Sequence, residues 1–473
     1  MNVRPILRGF HPDPSICRGE DAWYLVNSTF EFFPGLPVSR SEDLVHWECV
    51  GHVAERPEQL GWMAMRASRG LFAATIRTHQ GKWYVTVTDV TRLGNCLFVA
   101  DHPQGPWSDP IPLAMPGIDP SLFFDGDGKA YLLTNGAGII MAPVDLDTGT
   151  VLASPRLLTS GSGGRYPEGP HLYVMNGWYY LMLAEGGTEY GHMETLFRSS
   201  ALWGPYQPCP YNPILSSRDR PEEPVQCLGH ADLTPDGEGR WKAVFLGVRP
   251  LPGLLLHALG RETFLGTVVF DVDGWFHIQP DEGTFKESVQ NIVLTDREEY
   301  LSPRVPQWMP IWKDGAMRLR GNGSELSSPM GNPSFFGIRQ QEFGCRMRTL
   351  VHDWTSSAVF GVAAYLSNDT FLTIRVDTGA NRVSLWQCLH GMTVPVSSVW
   401  MPDGLPDSLV LEIVSDPRSY QFRWGNNPEH LRLLGSLSVA GLCAEGTRTM
   451  TFTGVLVGPY AECGEVSFRS LQA

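Results

Sequence analysis

Apolar and polar positions along the first part of the chain fall into one repeated motif. A short apolar run, a turn rich in Gly, Asp or Asn, and a second run led by an aromatic residue recur five times: DPSICRGEDAWYLV from Asp13, ATIRTHQGKWYVTV from Ala74, DPSLFFDGDGKAYLL from Asp119, EGPHLYVMNGWYYLM from Glu168 and HADLTPDGEGRWKAVFL from His230. Alternation at period two around a tight turn is the signature of a β-hairpin. The five starts lie roughly 45 to 62 residues apart, a spacing that suits the blades of a β-propeller. In that fold the innermost strands line a central axis, so residues leading into them from different blades meet in one cavity. Asp13, Asp119 and Glu168 would share it.

The hairpin pattern extends to about residue 283, and residues 1–283 are expected to form the propeller. Residues 284–317, with the Pro-bearing LSPRVPQWMP, read as a linker packed on the surface. Beyond it, over 318–473, come alternating runs without acidic starts: AVFGVAAYL, FLTIRV, RVSLWQCL, SLVLEIV and SYQFRWG. Short strands at this spacing predict a β-sandwich. The whole chain is therefore expected to be all-β.

Composition agrees with that reading. The 473 residues suit two or three domains, and 50 Gly, 37 Pro and 15 Trp point to many short strands and tight turns. A net charge of -14 argues against a nucleic-acid or anionic-membrane partner. No apolar run approaches the ~20 residues of a membrane span. Nine cysteines without a C-x-x-C pair, and a start (RPILRGFHPDPS) unlike a secretory leader, lead us to expect a reduced, cytoplasmic protein.

Each candidate for chemistry has an ordinary structural role as its alternative. A lone Asp before Pro is usually a turn residue whose carboxylate caps backbone N–H groups. The repetition of D-P-S at 13–15 and 119–121, with E-G-P at 168–170, favours a shared task. Carboxylates crowded at an axis raise one another's pKa, which keeps one protonated near neutral pH. Such a set suits glycosidic hydrolysis: inversion needs an acid and a base roughly 6.5–9.5 Å apart. Arg249 in FLGVRP is either an ion-pair partner or a fork for sugar hydroxyls. His230 in LGHADL is either a core histidine or a ligand to water or an ion at the axis. Phe30 and Phe72 stand beside blade strands near the axis, where a ring could stack on a sugar. The DGDG at 125–128 is read as a hairpin turn, because Gly136 stands where a calcium loop needs its bidentate acid. P-loop, H-E-x-x-H, G-x-S-x-G and dinucleotide-binding signatures are missing.

With these residues in hand, the chain resembles glycoside hydrolase family 43, in its two-domain β-xylosidase and α-L-arabinofuranosidase branch. The strings carrying the likeness are RPILRGFHPDPSIC, STFEFFPGLPVSRSEDLVHW, GPWSDP, GIDPSLFFDGDGKAYL, PEGPHLY, AEGGTEYGH, WGPY, GHADL and GRETFL, and, in the sandwich, RLRGNGSELSSP, RQQEF and FTGVLVGPYA. The resemblance implies a five-bladed propeller followed by a concanavalin-like sandwich, and an inverting enzyme with Asp13 as base, Glu168 as acid and Asp119 as modulator of Glu168. It further implies Arg249 against the terminal sugar, His230 beneath the pocket and aromatic walls at Phe30 and Phe72. A sandwich loop over the pocket would bring Phe452, giving exo-action on xylo- or arabino-oligosaccharides. No metal is required by this chemistry, although a calcium ion near His230 is compatible with it, and a homo-oligomer is implied. Where the family reads G-I-W-A-P this chain has GLFAA at 70–74, so the wall is smaller and the choice between xylosyl and arabinofuranosyl groups is expected to shift.

Overall fold

The computed structural model describes residues 3–61, 64–283 and 288–471. Residues 284–287, which begin the expected linker, and the chain ends at 1–2 and 472–473 lie outside the described residues.

The hairpins predicted from the alternation each grow into a blade of at least four antiparallel strands. The first blade runs through Ser15–Arg18, Trp23–Val26, Gly35–Ser41 and Glu48–Ala54. The others start with Leu71–His79, Ile118–Phe124, Glu168–Met175 and Gln226–Pro235. These innermost strands pack on one another in a closed ring, 15–18 against both 71–79 and 226–235. Apolar side chains between blades hold the ring, for example Tyr24, Val26 and Leu36 against Ile76, Trp83 and Val85. The segment before Asp13 lies on the last blade, with Leu7 bridged to Thr263, so chain start and fifth blade meet.

The second domain is a sandwich of two antiparallel sheets, one built around Gly344–His352 and Ser408–Ser415, the other around Val359–Ser367 and Leu456–Cys463. Its inner faces carry Met347, Val351, Leu411 and Ile413 against Val362, Ile374 and Val383, all fully buried. Within the segment expected as a linker, Val289–Ile292 adds a parallel strand to Gly344–Met347, and Ile311–Lys313 pairs into the same sheet. Ser302–Pro303 instead pairs with Phe32–Phe33 of the propeller.

The sandwich docks on the propeller through an apolar layer of Phe10, Phe30 and Phe32 against Leu301, Phe335, Tyr365 and Leu456. Arg304, only 1% exposed, crosses this junction and donates to the carbonyls of Met65 (2.5 Å), Pro329 (2.9 Å) and Gly331. Such a dry contact fixes the orientation of the domains, which matters because the sandwich supplies part of the site. No helix among the described residues is long and apolar enough to cross a membrane.

Candidate active site

Blade register defines the site. Ser15, Ala74, Ser121, His171 and Asp232 stand opposite Val26, Val87, Leu133, Met182 and Val244 on their second strands, so they are equivalent. Two residues before each lie Asp13, Phe72, Asp119, Gly169 and His230. The equivalent slot in blade two is thus Phe72, two residues ahead of the Ala74 that the sequence pattern suggested. In blade four it is Gly169, and Glu168 stands one residue earlier. Register shifts interrupt the ladder here in blades two to five. Bulged strands re-aim side chains, and the backbone shows it: Asp13, Asp119, Gly169 and His230 have φ of 49°, 53°, 56° and 52°. Asp, His and Gly tolerate this left-handed region better than most residues. Gly169 has a further reason, since a Cβ there would meet the His230 ring at 3.0 Å.

The side chains converge on a cavity of about 270 Å3 lined by Asp13, Asp119, Glu168, Phe30, Phe72, His230 and Phe452. Seven of the eight residues singled out in the sequence therefore meet. Asp13 accepts from Ser28 Oγ at 2.7 Å and from Arg261 Nη1 at 2.5 Å. Asp119 accepts from the Gly169 N–H at 3.2 Å, across the gap between blades. Asp119, Glu168 and His230 bring their polar atoms within 4.8 Å of one another. Burial, then the charges of Glu168 and Asp13, push the Asp119 carboxyl well above its usual range. Burial, then Asp13, raise Glu168 to about 7, against the opposing pull of Arg261. Burial also keeps His230 below the ordinary imidazole value.

Arg249 is the exception. It is buried elsewhere, with Nε and Nη2 on Glu262 at 2.6 and 2.9 Å and Nη2 on the Gln341 carbonyl at 2.7 Å. Glu262, which stands opposite Gly247 in the ladder, holds Arg249 away from the cavity, and Arg261 lines it instead. The sequence signal for Arg261 is GRETFL, where two charges lead into a largely apolar strand. Arg165, Tyr166 and Glu189 also line the cavity; the Gly-rich GSGGRYPEGP carries the first two and AEGGTEYGH the third.

One wall comes from the second domain. Phe452 stacks on Phe30 at 5.2 Å and meets Phe72 edge-on at 5.7 Å, while Phe30 and Phe72 lie 5.4 Å apart. Its backbone is held at both ends: the N–H donates to Ser68 Oγ at 3.0 Å and the carbonyl accepts from Arg261 Nη2 at 3.3 Å. Ser68 in turn donates its N–H to Glu31 at 2.9 Å. Arg261 thus touches both Asp13 and the wall.

Asp119, Glu168 and His230 could also contact a cation. Calcium takes six to eight oxygen ligands, and two carboxylates with an imidazole are a poor match for that demand. Two raised carboxyls beside a counter-charged one are what acid and base catalysis needs.

Comparison with known proteins follows this geometry. Residues 3–276 match the profile of glycosyl hydrolases family 43, and residues 298–467 that of the beta xylosidase C-terminal concanavalin A-like domain. The chain is 36% identical over 494 residues to a non-reducing end alpha-L-arabinofuranosidase of Bacteroides ovatus, covering 97% of this chain and 90% of that protein. It is 38% identical over 381 residues to a xylosidase/arabinosidase of Butyrivibrio fibrisolvens, covering 72% and 73%. The crystal structure of a xylan beta-1,4-xylosidase from Bacillus halodurans superposes over 100% of both chains with a TM-score of 0.89 at 29% identity.

Proposed function

The chain belongs to glycosyl hydrolase family 43 and is a glycosidase of the xylosidase/arabinofuranosidase kind, and from that premise we propose that it removes single β-D-xylosyl residues from the non-reducing ends of xylo-oligosaccharides with inversion. The observation that carries this reading is the cavity itself. At about 270 Å3 it is at the small end of ligand pockets, and Phe452 closes one side. Such a site suits one terminal sugar better than the middle of a polymer.

Asp13, oriented by Ser28 and Arg261, takes a proton from water as the water oxygen bonds to the anomeric carbon. Glu168 gives its proton to the leaving oxygen as the glycosidic bond breaks, and exchange with solvent then resets both groups. Asp119 and Glu168 are crowded together, so the pair resists losing its last proton, which is the proton Glu168 delivers. Phe30, Phe72 and Phe452 pack on the apolar faces of the ring. Tyr166, 62% exposed at the mouth, offers a platform for the next sugar. Enzymes of this family generally need no cofactor, and activity should be insensitive to chelators. Nine unpaired cysteines suit a reducing compartment.

A second reading makes arabinofuranosyl removal the main reaction. Phe72 favours it, because a smaller wall leaves room beside the sugar, and so does the printed activity of the Bacteroides relative. Hydrolysis of nitrophenyl β-xyloside and α-arabinofuranoside by wild type, Asp13→Ala and Glu168→Ala tests both readings. Loss of one dominant activity in both variants is expected. Full activity in either variant would refute the mechanism. A shift of the activity ratio in Phe72→Trp would assign the specificity to that wall, and proton NMR of the first-formed anomer tests inversion.

A further inference from the structure

Among the described residues, a second set of three metal-ligating side chains lies far in sequence from the acids: Cys49, His52 and Glu299, with Sγ, ring nitrogen and carboxylate oxygen within 4.8 Å of one another. None of them has a part in the glycosidase reading. Cys49 and His52 are three apart on the strand Glu48–Ala54, which in a regular strand would put them on opposite faces. A bulge prevents that. Ser39 stands opposite Cys49 and Pro37 opposite His52, with the register shift between Val38 and Ser39. Ser39 and Pro37 share a face, so Cys49 and His52 do as well. Glu299 reaches them from the segment that leads into the sandwich.

We propose that Cys49, His52 and Glu299 form a zinc site that ties the outermost strand of blade one to the segment entering the second domain. Sulfur, nitrogen and oxygen together are the donor set of a borderline-soft cation, and calcium or magnesium would avoid the thiol. His52 Nε2 lies 3.0 Å from Glu299 Oε1, so the two donor atoms already converge, and a zinc ion there would be held by the neutral imidazole through Nε2. Arg339 Nη1 holds the other carboxylate oxygen at 2.7 Å, which orients the ligand from behind as the outer partners of metal ligands do. Burial opposes ionisation of Glu299, yet Arg339 and then His52 outweigh it and keep the carboxyl well below its usual range. The Cys49 thiol loses its proton to solvent on binding, so affinity rises with pH. Cys49 is exposed, which gives the ion a way in. The fourth tetrahedral position is left to water.

The test uses the full chain freed of metal with a chelator, then titrated with Zn2+ alone in a calorimeter. One zinc per chain is expected, with affinity reduced about tenfold or more in Cys49→Ser and in His52→Gln, and with a rise of the thermal midpoint in wild type that both variants lack. Co2+ should give a near-ultraviolet thiolate-to-metal charge-transfer band that disappears in Cys49→Ser. No binding at 100-fold excess zinc, or binding unchanged in Cys49→Ser, would overturn the proposal. So would binding that survives in Cys49→Ser but is lost in Asp119→Asn, because the ion would then sit at the acid cluster. Neither Cys49→Ser nor His52→Gln touches the acid cavity, and the outcome is independent of whether the chain cleaves xylosides or arabinofuranosides.

Discussion

Buried acids occupy two layers of the same axis on the same innermost strands, a crowded set at the mouth and the single Asp232 beneath it, and their electrostatics run in opposite directions. At the mouth, Asp119 and Glu168 are crowded by like charge and raised. Two residues further in, Asp232 accepts from Arg77 Nη1 and Nη2 at 2.8 and 2.9 Å, from Tyr173 at 2.5 Å and from Ser15 Oγ at 2.5 Å. Burial would raise Asp232 too, but Arg77 and then His171 outweigh it and hold the carboxyl far below its usual range. Burial alone therefore does not make an acid reactive. The floor has one cation placed for its carboxylate, whereas at the mouth Arg261 pairs with Asp13, and Asp119 and Glu168 are left crowded against each other.

The largest effect that could break this contrast is at the mouth. Glu168→Gln or Asp13→Asn should lower kcat by roughly 10^2- to 10^4-fold, the usual share of a positioned acid or base, with folding intact by circular dichroism. A loss under tenfold would remove these residues from the chemistry. At the floor the reverse is expected. Asp232→Ala leaves Arg77 buried without its anion and should cost about 3–5 kcal/mol, read as a lower urea midpoint, while kcat per folded molecule stays within a few-fold. A variant of unchanged stability that lost turnover would show that the floor acts in the reaction.

The pH dependence separates the layers more finely. Glu168 is raised to about 7 in the folded protein, so its contribution to stability is full below its unfolded value of about 4.3 and is lost as pH rises through 7. Glu168→Gln should accordingly gain on wild type at pH 8, by on the order of 1 kcal/mol, in thermal melts. Asp232, depressed when folded, has the opposite sign: its stabilisation is present above about pH 3.9 and fades only in stronger acid. In activity, Asp119→Asn removes the partner whose ionisation holds the last proton on the acid pair, so the alkaline limb of kcat/KM should move to lower pH by up to about one unit. An unmoved limb would mean that Asp119 does not tune the donor. The smallest effect concerns the wall. Ser68 has φ of 54° and holds the Phe452 N–H, so Ser68→Gly removes that bond without backbone strain. KM should rise about five-fold for one lost hydrogen bond, with kcat little changed.

Much of this was legible along the chain because it is periodic. Five hairpins with aromatic second strands are local events, and three of them carry an acid at nearly the same place. The offset of Glu168 was not legible, since it depends on a bulge that lets Gly169 take the left-handed slot and pack under His230. The exchange of Arg249 for Arg261 was hidden for a similar reason. Both arginines follow apolar stretches near the axis, and the pairing of Gly247 with Glu262 decides that Arg249 meets Glu262 while Arg261 meets Asp13. Within 284–317, Pro-rich composition read as a connector, but short runs such as VQNI find a sheet edge only once the sandwich exists.

The sequence by itself determined the all-β character, the blade repeat and the three acids, because alternation and turn chemistry act over a few residues. Tertiary structure alone decided which arginine faces Asp13 and that Phe452, more than 400 residues from Asp13, closes the cavity. Tertiary structure also decided that Asp232 is paired with Arg77 while Asp119 and Glu168 are left crowded. Those outcomes depend on distances between strands that share no sequence neighbourhood, and charge interactions at an axis are set by such distances and by exclusion of water.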